Sequence, residues 1–183
     1  MNRCNWAKDE PNTTYHDKEW GRPQHDDTKL FEFLILEGAQ AGLSWTTILK
    51  RRDGYRKAFS DFDVLKVSKY TQKRVGKLLQ DESIIRNKLK VNSAINNAKQ
   101  FLKVQSDFGS FDEYLWGFVN HKPIKNKFKK LSDIPASTEI SEKLSKDLKK
   151  RGFSFVGPTI CYALMQATGM VNDHTIQCFM HGK

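Results

Sequence analysis

Glu37 is the residue from which chemistry can be read most directly. In the run from Leu30 to Leu49, helical periodicity puts its carboxyl on the face of Leu30, Phe33 and Leu34, while Glu32 falls with the polar or less crowded positions. A carboxylate on an apolar face is costly unless it is paired or meets a ligand. Two readings stay open at this point. One is a buried Glu bonded to nearby backbone or Arg, and the other is an acceptor facing a pocket.

A second set of residues has the chemistry of a metal site. His174 and Cys178 are four apart, so a helix would present both on one face. Cys4 and His16, from the opposite end of the chain, could complete a closed Cys2His2 tetrahedron of the structural zinc type. It would tie the aromatic N-terminal segment to the C-terminal one. The competing reading is a buried thiol and a surface His at chance spacing. Cys161 lies on an apolar helix face and reads as core. The aromatic residues Trp6, Tyr15, Trp20 and Trp45 offer a further possibility, although most Trp side chains are simply core. An aromatic slot with one acidic acceptor suits a flat, cationic base, because an indole face attracts a cation and a carboxylate accepts from the base edge.

Composition narrows the classes. The chain has 183 residues and a formal net charge of +10. That length suits a single domain over residues 1–183, or two closely packed helical lobes, and the charge favours a polyanionic partner such as nucleic acid. The three cysteines are odd in number and far apart, which fits free thiols or metal ligands rather than a disulfide framework. No apolar run has membrane-spanning length and the start is polar, so a cytoplasmic protein without membrane contact is expected. Basic clusters recur at Arg51-Arg52, Lys125 to Lys130 and Lys149-Lys150-Arg151. Lys88 and Lys90 adjoin a helix start after a tight turn, where amide groups can hold a phosphate. A helical DNA-binding protein with a structural zinc, not an enzyme, would explain charge and ligands but leaves Glu37 unexplained.

The elements that must position these residues read as follows. Residues 1–25 look irregular. Asp26-Asp27-Thr28 caps a helix over about 29–38, Gly38 and Gly42 bracket a break, and Ser44 caps the next helix. Short helices follow over 64–70 and 72–80, with a turn at 81–83 and a long helix over about 88–105. Ser110 and Glu113 form a capping-box pattern. A later amphipathic helix carries Ile140, Leu144 and Leu148 and ends before Gly152, and Gly157-Pro158 opens another. A final helix is expected from near Asn172, bearing His174 and Cys178. Strand-like alternation is nowhere sustained, and the expected fold class is all-α.

Several blocks carry a resemblance. They are Arg3-Cys-Asn-Trp6, Tyr15-His-Asp-Lys-Glu-Trp-Gly21, Leu36-Glu-Gly-Ala-Gln-Ala-Gly-Leu-Ser-Trp45, Phe118-Val-Asn-His121, Lys149-Lys-Arg-Gly-Phe-Ser-Phe-Val-Gly157 and Asn172-Asp-His174. In this order and over nearly the whole chain, the sequence resembles the 3-methyladenine DNA glycosylase I family of the helix-hairpin-helix superfamily. The resemblance implies excision of N3-methyladenine from double-stranded alkylated DNA by hydrolysis, without lyase activity, by a monomer that releases free 3-methyladenine. It implies base contacts from Glu37 and Tyr15, stacking by Trp45, a pocket bounded by Trp6, and a Gly42-Leu43 tip that fills the gap in the duplex. It also implies zinc on Cys4, His16, His174 and Cys178. Hairpin glycines of the superfamily are expected where this chain has Ser83 and Leu89, next to Lys88 and Lys90. The superfamily's usual catalytic Asp is missing, and Asp173 reads as a group behind the metal ligands or a helix cap.

Overall fold

In a computed structural model, which describes residues 2–182, every residue from Leu30 to Ala39 is buried. The chain is therefore arranged around one helix that has no solvent face, and all other elements are placed by what they cover on it.

In order, the elements are α1 (Asn12–Lys18), α2 (Asp27–Gln40), α3 (Trp45–Ala58), α4 (Val64–Ser68), α5 (Gln72–Leu78), α6 (Lys88–Phe108) and α7 (Phe111–Gly117). They continue with β1 (Ile124–Lys125), α8 (Glu139–Lys150), α9 (Pro158–Ala167) and β2 (Val171–Asn172). The central α2 packs against α3, α6, α7 and α9. Helix starts follow local capping chemistry. Asp26, Ser44, Asn87, Ser110 and Thr138 each accept from a backbone amide in the first turn of their helix. Pro158 opens α9, where its missing N–H costs nothing. Asp27 does more than begin α2. Its carboxylate accepts from the Phe111 and Asp112 amides at 2.9 and 2.8 Å, so the starts of α2 and α7 are joined.

Three departures from the expected elements have physical reasons. Residues 12–18 form α1 inside a segment expected to be irregular, because Tyr15 and His16 are both buried there and tertiary packing outweighs the weak helix preference of Asn-Thr-Thr. The expected helix from Asn172 does not form, and residues 173–182 run in turns. Val171 and Asn172 pair instead with Ile124 and Lys125 in a short parallel bridge, and Asn172 Oδ1 accepts from the His174 amide at 3.2 Å. Such a local side-chain bond competes directly with helix formation. The fold is thus mostly helical with that one small bridge among the described residues.

The third departure concerns Glu32. Helical periodicity assigns it to the polar side, but α2 has no polar side, and Glu32 is buried. Its oxygens accept from Arg52 Nε at 2.8 Å, Arg56 Nε at 2.8 Å and Lys29 Nζ at 2.9 Å. Burial alone would raise its pKa, yet these cations hold it below the ordinary 4.5. Glu32→Ala leaves the Arg52 guanidinium buried without its main partner and is expected to cost about 3 kcal/mol, measured by urea titration at pH 7. Because the folded pKa is depressed, the wild-type contribution is complete above about pH 4.5 and fades as pH drops below it.

Candidate active site

Glu37 lies five residues beyond Glu32 on the same buried helix, with the opposite environment. Its side chain is 4 % exposed, and among the described residues none hydrogen-bonds or ion-pairs with it. Burial pushes its pKa up to about 8. Of the two readings left open by sequence, the acceptor facing a pocket is the one this geometry supports. The carboxyl borders a cleft of about 320 Å³ together with Trp6, Tyr15 and Trp45, and the lining also includes Tyr162 and Gln166 of α9.

The four residues expected to meet here do meet. Tyr15 lies between the indoles of Trp6 and Trp45, with ring centroids 6.2 and 5.3 Å away. Burial, and then the Glu37 carboxyl, raise the Tyr15 pKa well above the ordinary phenol value. The Trp45 Nε1–H is buried without a partner among the described residues. An unsatisfied donor and an unsatisfied acceptor facing one aromatic cleft describe a site complementary to a planar polar ligand.

At one edge of the cleft the chain turns sharply. Gly42 has φ +75° with open space where a Cβ would stand, and Leu43 beside it is 39 % exposed. Lys90 was expected to touch phosphate, but the structure assigns it other partners. Its Nζ donates to Ala39 O at 2.8 Å and Ala41 O at 2.6 Å, so it clamps the C-terminal end of α2 beneath that loop. Lys88 stays exposed at the start of α6. The turn before them is closed by Ser83 N and Oγ donating to Asp81 Oδ1, without any left-handed residue. The turn that does carry glycines joins α8 to α9. Gly152 has φ +89°, Gly157 caps α9, and Phe155 between them packs on Gly38, beside Glu37.

Behind the aromatic wall, Cys4, His16, His174 and Cys178 converge from both ends of the chain. Their candidate ligand atoms all lie within 4.8 Å of one another and all four residues are buried, so the cluster could bind a metal ion. Cys4 Sγ is 3.6 Å from His174 Nδ1, and Cys178 Sγ is 3.3 Å from His16 Nε2 and 3.5 Å from His174 Nδ1. A tetrahedron with ordinary zinc–sulfur and zinc–nitrogen lengths has S···N edges of roughly 3.5 Å, so the donor set fits. The outer ring nitrogens are committed, His16 Nδ1 to Asp17 at 2.8 Å and His174 Nε2 to Trp20 O at 3.0 Å, which leaves the inner nitrogens as the ligating ones. Burial holds His174 down at about 4, in the neutral form a metal requires. Trp20 connects the two sites, its indole 4.6 Å from the His174 ring and 5.1 Å from that of Trp6.

With the geometry in place, the comparisons with known proteins can be read. The sequence model of the family described as Methyladenine glycosylase matches residues 6–181. The chain belongs to the methyladenine glycosylase family. It is 49 % identical to DNA-3-methyladenine glycosylase 1 of Escherichia coli (strain K12) over 97 % of this chain and 96 % of that one. It is 47 % identical to the DNA-3-methyladenine glycosylase of Haemophilus influenzae over 96 % of each. A solved structure concerned with 3-methyladenine recognition by the Staphylococcus aureus glycosylase I superimposes with a TM-score of 0.96 at 36 % identity, covering 100 % of this chain and 98 % of that one.

Sequence reasoning missed the part of the cleft lining that α9 supplies. Tyr162 and Gln166 are polar residues four apart on an otherwise apolar helix, and that spacing was the available signal. Asp173 was read as supporting the metal ligands or capping a helix, but its bonds run instead to Tyr162, Gln166 and Asn126.

The unpaired state of Glu37 has a cost that can be measured. The folded protein keeps that proton up to about pH 8, whereas the unfolded chain releases it near the ordinary 4.5, so wild-type stability declines as pH rises between them. Glu37→Gln keeps the shape without the ionisation and is expected to raise stability by on the order of 2 kcal/mol at pH 8 and little at pH 5. Urea titrations at both pH values check it.

Proposed function

We infer that this chain is a DNA repair enzyme that removes 3-methyladenine from alkylated DNA by hydrolysing the N-glycosidic bond. The observation that carries the reading is Glu37, an unpaired buried carboxyl in an aromatic cleft, in a chain whose relatives are named for this activity. The damaged base flips out of the duplex and enters the cleft, where Trp45 stacks on it, Trp6 bounds it, and Glu37 with Tyr15 contacts its edge.

Methylation at N3 leaves the base positively charged, so it is already a good leaving group. The chain therefore needs no general acid at the base, in keeping with the absence of the superfamily's usual Asp. Selection comes from charge. A cationic base entering the cleft favours the ionised form of Glu37, whereas a neutral base meets a protonated carboxyl and apolar rings. Water then attacks the sugar carbon as the base departs.

The Gly42-Leu43 tip is suited to fill the gap left by the flipped nucleotide, held in place from below by Lys90. For the duplex backbone, the α8–α9 turn is a better anchor than Lys88 and Lys90. Among the described residues no side chain caps α9 at Gly157, which leaves its first amides available to a phosphate, and Lys149 and Lys150 end the helix before it.

The Cys2His2 cluster fits zinc in its closed, structural form. Zinc would supply folding energy by joining the segment that carries Trp6 and Tyr15 to the segment after α9, and no chemical step passes through it.

Two measurements test these assignments. Glu37→Ala is expected to slow release of 3-methyladenine from methylated DNA about a hundredfold; release at the wild-type rate would remove Glu37 from the reaction. Elemental analysis is expected to give a single zinc ion per chain, and Cys178→Ser to lose it with a fall of roughly 10 °C in Tm.

A further inference from the structure

Asp173 is fully buried, yet it is neither a metal ligand nor a helix cap. Its Oδ2 accepts from Tyr162 Oη at 2.6 Å and from Gln166 Nε2 at 2.8 Å, and its Oδ1 accepts from Asn126 Nδ2 at 2.7 Å. Two of these three donors, Tyr162 and Gln166, line the same cleft as Glu37.

These bonds fix the hydrogen-bond polarity of that wall. A carboxylate can only accept, so the Gln166 amide turns its nitrogen toward Asp173, and its Oε1, which has no hydrogen bond among the described residues, is left as an acceptor for a cleft ligand. Tyr162 gives its hydroxyl proton to the same carboxylate, so toward the cleft its oxygen can only accept. Burial and this bond both keep the Tyr162 proton in place far above neutrality. The Gln166 backbone is pinned as well, its carbonyl accepting from the Gly21 amide at 2.9 Å. Rotating the amide would set a carbonyl against a carboxylate and lose one of the two donors to Asp173 Oδ2.

We propose that Asp173 is a positioning residue and Gln166 a specificity-determining one: together they present the base with an acceptor wall that favours a purine bearing an exocyclic amino group over one bearing a carbonyl in its place. The inference rests on the base-excision reading above. An amino group meets Gln166 Oε1 as a donor meeting an acceptor, whereas a carbonyl oxygen there is opposed by another lone pair. A site built to bond a donor rejects the analogue lacking it far more strongly than an apolar wall does.

Asp173→Asn tests the proposal with the least change of shape. Its amide nitrogen can donate to Gln166 Oε1, which lets the Gln166 amide turn over and show its NH2 to the cleft. Binding of free 3-methyladenine and of 3-methylhypoxanthine, which carries a carbonyl in place of the amino group, is measured by quenching of tryptophan fluorescence in the full-length protein. Metal content and Tm are recorded for each variant. Wild type is expected to prefer 3-methyladenine, and Asp173→Asn to shrink that preference at least tenfold by weakening 3-methyladenine and strengthening 3-methylhypoxanthine. Gln166→Leu removes the wall acceptor while leaving Asp173 and Tyr162 in place, and is expected to lose the preference without the gain for the carbonyl base. Equal weakening of both ligands in both variants would show a merely structural role and overturn the proposal, as would an unchanged preference. Wild-type protein that binds neither base would instead overturn the functional reading on which it rests.

Discussion

The structure depends on how carboxyls are kept inside one helix buried from Leu30 to Ala39. α2 carries two acidic residues where an isolated charge is costly, and the chain treats them in opposite ways. Glu32 receives Arg52, Arg56 and Lys29, which bind α2 to α3 and end its need for solvent. Glu37 receives nothing. The first arrangement makes the second tolerable. With the start of α2 fixed by Glu32 and by the bonds from Asp27 to α7, and its end fixed by Lys90, the helix cannot shift to bring Glu37 to water or to a partner. Unused bonding capacity is thereby held at one place, as preorganised sites require.

Much of this site was legible in the sequence, for reasons that differ by residue. Glu37, Tyr15 and Trp45 stood out because their types conflict with, or exceed, what a core needs. The gathering of Cys4, His16, His174 and Cys178 was legible because such residue types are few and His174 and Cys178 have suggestive spacing. That spacing pointed to a helix, whereas the chain brings the two together through turns set by Asn172. Glu32 was misplaced because periodicity assumes a helix with one wet face, and α2 has none. Lys90 was misplaced because a cation near a helix start has two satisfactory fates, phosphate or carbonyl, and only the fold decides between them. Asp173 was out of reach because Asn126, one of its partners, lies 47 residues away.

The candidate site and the Cys/His cluster are two faces of one aromatic partition. Trp20 touches the His174 ring on one side and Trp6 on the other, and the Trp20 carbonyl accepts from the same histidine. Geometry at the cluster is therefore transmitted to the base pocket through packed rings, without any bond between the two.

One consequence concerns how such a protein is made. The Cys4–His174 contact spans 170 positions, and the walls of the cleft, from Trp6 to Gln166, all lie within that span. A ribosome delivers Glu37, Tyr15 and Trp45 early, but the partition that encloses them cannot close until His174 has emerged. Closing so long a loop is entropically slow, and a metal bound by the cluster would offset part of that cost. During synthesis the nascent chain thus exposes an aromatic surface and an unpaired carboxyl until His174 has emerged.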